Sequence, residues 1–301
     1  MGYSEEVEIL PQLILNSLIA GAIYALVALG FNLIYGTVKF FDLGYGALAA
    51  VGGYVTFFLY KQLGFNLYFS VLAAVLTAGL IGVILNWLIY GPLRRRRASS
   101  MVLLVASLGV LTALQAVIAI LFTSQFQTLS RAAGAQKVFE VGPSIGLGAS
   151  GVITGVQLVI ILVGAVIMGG LAFLLRYTRF GRAVRAISDD EEVAKIVGLN
   201  TSKIVAGVFF IGSAVAGLAG ILVGFDTGLE PTMGLSLLLK GVIAAIVGGV
   251  GNVYGGVLGA LLLGFVENFG IWQISGEWKD AIAFGLLLVF LLFRPRGILQ
   301  K

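Results

Sequence analysis

Cysteine and histidine are both missing from the 301 residues. Without cysteine there is no disulfide, thiol nucleophile or thiolate ligand, and the redox compartment leaves no mark on the chain. Without histidine the commonest proton shuttle and metal ligand is gone. Charge is scarce too: Asp, Glu, Lys and Arg make up 11% of the residues, against roughly 25% in a soluble domain. A deficit that large excludes an ordinary water-soluble fold. No Gly-x-Ser-x-Gly elbow, metal motif, Cys pair or Walker-type phosphate loop occurs, so no enzyme constellation emerges. The alternating ten-residue segments of a transmembrane barrel are also absent. The N-terminal Met1-Gly-Tyr-Ser-Glu-Glu-Val-Glu is acidic and lacks the basic region of a signal peptide, so insertion through the first span itself is expected.

What is present is apolar. Hydrophobic residues make up 59% of the chain and the mean hydropathy is +1.06. Runs long enough to approach the ~20 residues of a transmembrane helix cover 10–36, 43–60, 67–91, 101–122, 154–175, 204–225, 235–250, 253–270 and 279–293. The expected fold is an all-α polytopic membrane protein with eight or nine transmembrane helices, some discontinuous, in a single transmembrane domain over 1–301. Lys39, Arg94 to Arg97, the basic residues of 176–203, and Arg294, Arg296 and Lys301 fall in connections on one side. The other side keeps Lys61, Arg131, Lys137, Lys240 and Lys279. The positive-inside rule then places the N-terminus outside, the C-terminus inside, loop 123–153 outside and loop 176–203 in the cytoplasm. The net charge of +5 reads as topogenic rather than as a nucleic-acid surface.

Ionisable residues inside apolar runs are costly and are therefore paired, at a helix end, or functional. Asp42, Asp226, Glu230, Lys240 and Glu267 belong to this group, and Lys240 has Asp226 or Glu230 as expected partners. The segments around Asp42 and Asn252 are short and Gly-rich, a pattern that marks broken helices near transport sites. Asn16, Asn32, Asn86, Gln115, Asn252 and Asn268 are expected to make interhelical hydrogen bonds. Gly248, Gly251, Gly255 and Gly259 have the spacing of close helix packing. Gly248-Gly-Val-Gly251 superficially resembles a nucleotide loop, but no Lys-Ser/Thr follows to reach phosphates, and packing or a helix break is the better reading.

The densest charge lies between two spans, at 176–198. Arg176, Arg179, Arg182 and Arg185 recur every three residues, Ser188 to Asp190 supply a cap, and Glu191 opens a short helix that Gly198 ends. Val193, Ile196 and Val197 form its apolar face. A capped amphipathic helix at a membrane face lies on lipid or docks into a partner's groove. Acidic residues precede this one and only one Lys lies in its core, so a protein partner is the expectation; a solvated positive-inside loop is the alternative.

These residues carry a resemblance. Gly181-Arg-Ala-Val-Arg-Ala186 followed by Asp189, Ala194 and Gly198-Leu199 resembles the coupling loop of the permease subunits of branched-chain amino-acid ABC importers. Leu18 to Gly36, Leu238 to Gly251 with Gly255 to Ala260, and Phe293 to Ile298 are similar to the first span, the late Gly-rich segment and the C-terminal motif of that family. The resemblance implies a multi-pass protein of a prokaryotic plasma membrane. It implies partnership with cytosolic ATP-binding subunits, a second permease in a homo- or heterodimer, and an extracytoplasmic solute-binding protein. ATP and Mg would be held by the partner subunits, with no cofactor on this chain. It assigns Gly181, Arg182, Ala183, Arg185, Ala186, Asp189, Ala194 and Gly198 to ATPase coupling. In that assignment Gly181 permits the turn out of the span, Arg182 and Arg185 contact the partner or a neighbouring loop, Asp189 caps the coupling helix and Ala194 packs in the ATPase groove.

One motif departs from the family. After the first span the family reads Asn-Phe-Ala-His-Gly, where this chain has Asp42-Leu-Gly-Tyr45-Gly46. Asp42, Tyr45, Gly46, Lys240 and Asn252 are the candidate pathway residues. The function implied is translocation of branched-chain or other hydrophobic amino acids. Alternatives are urea and short amides, sugars or nucleosides in the same superfamily, an ATPase-independent secondary transporter, and a membrane scaffold.

Overall fold

The computed structural model describes residues 3–129, 138–141 and 151–299. The chain opens with α1 (Tyr3–Val38), which is buried through most of its apolar length. Lys39 then takes a left-handed φ of 58° and breaks the helix over 39–43. From the break rises α2 (Gly44–Phe57), extended by a π turn (Phe58–Gln62). Asn66 caps α3 (Leu67–Leu85), which passes through a second π turn (Asn86–Tyr90) into the short α4 (Gly91–Arg95). Ser99 caps α5 (Ser100–Phe122).

Two short strands follow, β1 (Val138–Val141) and β2 (Gly151–Thr154), paired antiparallel. They lie in or beside the loop expected over 123–153; Arg131 and Lys137 of that loop lie outside the described residues. Thr154 and Gln157 form a reciprocal capping box on α6 (Gly155–Tyr177). Then come α7 (Arg179–Asp189), α8 (Glu191–Ile196) and α9 (Thr201–Asp226). The chain closes with α10 (Met233–Gly248), α11 (Val253–Gln273) and α12 (Lys279–Phe293).

Every apolar run read from the sequence falls on one of these helices. Among the described residues, six segments are long and apolar enough to cross a membrane: Ile9–Val38, Leu67–Arg95, Ser100–Phe122, Gly155–Tyr177, Thr201–Asp226 and Val253–Trp272. The shorter α10 is apolar as well. The protein is a multi-pass membrane protein.

Helices α1 and α9 form the centre, with α2, α10 and α11 packed on them; α3, α5 and α6 are mostly exposed. In lipid, apolar side chains gain nothing by turning inward, so close backbone approach has to hold such a bundle together. Glycine supplies it. A methyl on Gly220 of α9 would strike the carbonyl of Ala49 on α2, and one on Gly248 would strike the carbonyl of Gly255. The Gly248/Gly255/Gly259 spacing is therefore the contact seam of the α10–α11 hairpin, not a phosphate loop. Gly249 and Gly251 turn that hairpin with φ of 113° and 83°.

Asn32 stitches the hairpin to α1: its Oδ1 accepts from Gly251 N at 3.0 Å and its Nδ2 donates to the Asn252 carbonyl at 3.1 Å. The C-terminal tail docks on the same break, with Ile298 N donating to Val247 O and Leu299 N to Gly248 O. Lys39, Arg94, α7, α8 and the tail thus gather towards one end of the bundle, here termed the basic end.

Candidate functional site

At the opposite end, α1, α6, α9 and α10 enclose a cavity of about 510 Å³, within the range of roughly 300–1,000 Å³ typical of small-molecule sites. Its apolar wall includes Ile19, Ile23 and Leu237; its polar wall includes Tyr24, Gln157, Asp226, Glu230, Lys240 and Lys279. The strap after α5 closes one side. Gln127 and Leu229 exchange backbone hydrogen bonds of 3.0 and 2.7 Å, and Leu129 N donates to Gly224 O. Phe126 of the strap sits against Gly228, whose φ of 108° and close ring contact leave no room for a side chain.

Behind the cavity lies a buried charge cluster. Lys240 Nζ is 3.3 Å from Glu267 Oε1 and 3.1 Å from Asp280 Oδ1. Tyr24 donates to Glu267 Oε2 at 2.7 Å, accepts from Lys240 at 3.3 Å, and presents its ring to the ammonium at 5.4 Å. Lys279 Nζ is 3.7 Å from Glu267 Oε2. Glu267 is 0% exposed and the Lys240 side chain 13%, so each charge is tolerated only because the other is there. The expected partners of Lys240, Asp226 and Glu230, line the same cavity but are not its ion-pair partners among the described residues. Helices α11 and α12 supply the partners instead.

The remaining pathway candidates lie elsewhere. Asp42 is buried in the break after α1, where Tyr90 of the second π turn donates to its Oδ1 at 2.7 Å. Tyr45 is fully buried and donates to the Val27 carbonyl at 3.1 Å. Gly46 packs against the backbone of Gly234. Asn252 caps α11 by accepting from Tyr254 N and Gly255 N, and its amide donates to Leu299 O. Of the five, Lys240 alone lines the cavity.

At the basic end, α6 ends at Thr178, whose hydroxyl accepts from Gly181 N and so caps α7. The chain folds back so tightly that a methyl on Gly181 would strike the Leu174 and Leu175 carbonyls. Ala183, Val184 and Ile187 face inward while Arg182 and Arg185 face out, and Ala186 is half-buried between them. Arg185 Nη1 donates to the Leu175 carbonyl at 2.6 Å, so this arginine serves the end of α6.

Asp190, not Asp189, caps α8: its Oδ1 accepts from Glu192 N and Val193 N at 2.8 and 3.0 Å. Asp189 is the last residue of α7. Gly198 ends the segment with φ 88°. Ala194 is only 2% exposed, turned into the chain's own fold rather than toward an outside groove. The surface-facing apolar residues are Val193, Ile196 and Val197, with Ile196 82% exposed.

A polar tie fixes α8 against α4. Arg94 Nη2 is 2.5 Å from Glu191 Oε2, and Lys195 Nζ is 2.8 Å from Glu191 Oε1. Partial burial alone would raise the Glu191 carboxyl, but Lys195 and Arg94 outweigh it and hold it below its usual 4.5. Tyr24, Asp280, Gln157 and Arg94 gave no motif in the sequence. Tyr24 and Glu267 are 243 positions apart, and only opposite charges in the spans hinted that a partner existed.

A helical membrane bundle with a polar cavity at one end and an exposed amphipathic element at the other defines a transport-type membrane subunit. Residues 13–291 match the family described as branched-chain amino acid transport system / permease component, and the chain belongs to it. It is similar to the high-affinity branched-chain amino acid transport permease BraD of Pseudomonas aeruginosa, 32% identical over 299 residues, covering 96% of this chain and 95% of that protein. It is also similar to the permease LivH of Salmonella typhimurium, 32% identical over 311 residues, covering 99% and 98%. Among solved structures, PsaBC from Streptococcus pneumoniae in complex with Fab superposes with a TM-score of 0.50 at 16% identity, covering 98% of this chain and 97% of that one. At that identity the likeness concerns the fold alone.

Proposed function

We propose that this chain is the transmembrane permease subunit of an ATP-driven importer for branched-chain or other hydrophobic amino acids. The observation that carries the reading is family membership over nearly the whole chain, with relatives at 32% identity whose names specify branched-chain amino acid transport. The chain supplies the pathway and receives force; ATP and Mg act on separate cytosolic subunits. In this reading the basic end is cytoplasmic and the cavity end external, so the N-terminus is outside and the C-terminus inside. Helices α2, α10 and α12 complete eight or nine crossings around the six long spans. A second permease, identical or related, and an extracytoplasmic binding protein complete the complex.

Coupling acts through loop 176–203. Gly181 and Gly198 shape it, Arg182 is available to the partner, and Val193, Ile196 and Val197 of α8 provide the docking face. Ala183, Ala186 and Ala194 set α7 and α8 against the bundle, Asp189 closes α7, and Arg185 ties α7 to the end of the span. Ile196 is the test. Ile196→Asp puts a charge on an exposed apolar face without touching the core. Expected are loss of ATPase co-purification and at least about tenfold slower leucine uptake by the reconstituted complex, the equivalent of roughly 1.4 kcal/mol. Wild-type uptake and an intact complex in that variant would refute the docking role; leucine flux by the purified chain alone would refute the ATP-driven reading.

A further inference from the structure

We propose that the cavity between α1, α6, α9 and α10 is a binding site for a zwitterionic α-amino acid, with the substrate carboxylate on Lys240 and its ammonium on Asp226 and Glu230. The inference rests on the transport reading above and adds to it the residues and the orientation.

Charge balance is the first argument. The cavity walls carry two cations, Lys240 and Lys279, and two anions, Asp226 and Glu230. A solute with net charge is drawn to one wall and repelled by the other, whereas a molecule with both charges on one end satisfies both. Asp226 and Glu230 sit at the end of α9 and in the loop before α10, and Lys240 lies two turns further along α10. Ile19, Ile23 and Leu237 line the space nearby, an apolar wall for an aliphatic side chain. A sugar or urea would leave Glu230, which has no ion pair among the described residues, without a charged partner.

The second argument is how Lys240 is held. An ammonium has three donors, and here they are directed at Tyr24, Glu267 and Asp280. Tyr24 and Glu267 are buried and fixed by their own 2.7 Å hydrogen bond. Asp280 differs: its side chain is 66% exposed. It is the one carboxylate able to swing into water and leave its position on Lys240 to the carboxylate of an arriving amino acid. Glu230 likewise has no ion-pair partner among the described residues. The site thus holds a surrogate carboxylate where the substrate's would go and an unpaired acid where an ammonium would go.

The lack of cysteine makes the test direct. Ser236 is exposed and lines the cavity, so Ser236→Cys places a single thiol there in the complete importer. Labelling by a membrane-impermeant methanethiosulfonate is followed on this chain with and without L-leucine. Binding slows labelling by the factor 1 + [L]/Kd, about threefold at twice the Kd. Isoamylamine, which lacks the carboxylate, and 4-methylpentanoate, which lacks the ammonium, are expected to protect far less. Adding Glu230→Gln weakens protection, and adding Asp280→Asn strengthens it, because the surrogate is gone. A thiol labelled equally fast with and without leucine, in a complex that still imports leucine, overturns the inference alone, as does equal protection by the analogues. A complex that hydrolyses ATP but imports no amino acid overturns the transport reading and this inference with it.

Discussion

Replacing Lys240 with Met keeps the aliphatic stem and removes the ammonium from the buried cluster. Glu267, 0% exposed, then keeps the Tyr24 hydroxyl at 2.7 Å and Lys279 at 3.7 Å but loses the cation at 3.3 Å. Removing one partner of a buried pair costs about 3–5 kcal/mol when the other is stranded. Lys279 still faces the carboxylate, so the cost of Lys240→Met is expected at the low end, about 3 kcal/mol. Glu267→Gln costs less, about 1–3 kcal/mol, since Lys240 keeps Asp280 and the Tyr24 ring and Gln can still accept from Tyr24.

The double variant removes both charges together and should lose less than the two singles combined, by about 0.5–3 kcal/mol. Titration into sodium dodecyl sulfate at equilibrium, followed by tryptophan fluorescence, measures all four proteins in parallel. Strict additivity, or a neutral Lys240→Met, would refute the view that these residues stabilise one another across α1, α10, α11 and α12.

Two further predictions use other parts of the fold. Gly220→Ala, which drives a methyl into the Ala49 carbonyl on α2, should cost about 1–3 kcal/mol by overpacking. Gly170→Ala on α6, with nothing within 4 Å, should be neutral or gain up to about 1 kcal/mol; detergent unfolding that ranks the two the other way would contradict the glycine seams. Glu191 is held below its usual 4.5 by Lys195 and Arg94 despite partial burial. Its contribution is therefore complete above pH 4.5 and fades as pH falls through the lower folded value. For a pair this exposed it amounts to about 0.2–1 kcal/mol; a pH-dependent difference in α8 proteolysis between wild type and Glu191→Gln checks it, and parallel curves would refute it.

The polytopic fold was legible because hydrocarbon imposes lengths and composition that no tertiary context overrides. The helix breaks at 39–43 and 249–252 were legible from Gly-rich, shortened runs, and the α10–α11 seam from glycine spacing. The segment over 179–198 was legible as capped and amphipathic, although its cap moved one residue, to Asp190. Side-chain direction was not legible: Ala194 turns inward while its neighbours Val193 and Ile196 face out, and a helix of six residues is too short for periodicity to settle its face. Asp42, Tyr45, Gly46 and Asn252 stood out by motif or polarity, and the structure engages each within the fold: Tyr90 donates to Asp42, Tyr45 donates to the Val27 carbonyl, Gly46 meets Gly234 and Asn252 caps α11. In a membrane bundle a polar side chain satisfies a neighbouring backbone as readily as a solute.

By itself, then, the sequence determined that the chain lives in a membrane, how its apolar runs are spaced, which end is basic, and that it holds no cysteine or histidine chemistry. These follow from local composition against the bilayer as solvent. Only the tertiary structure decided that Lys240 answers to Glu267, Asp280 and Tyr24, and that Asp226 and Glu230 face the same cavity. Pairing of buried charges is settled by which helices come into contact, and that is set by glycine seams between segments far apart in the chain.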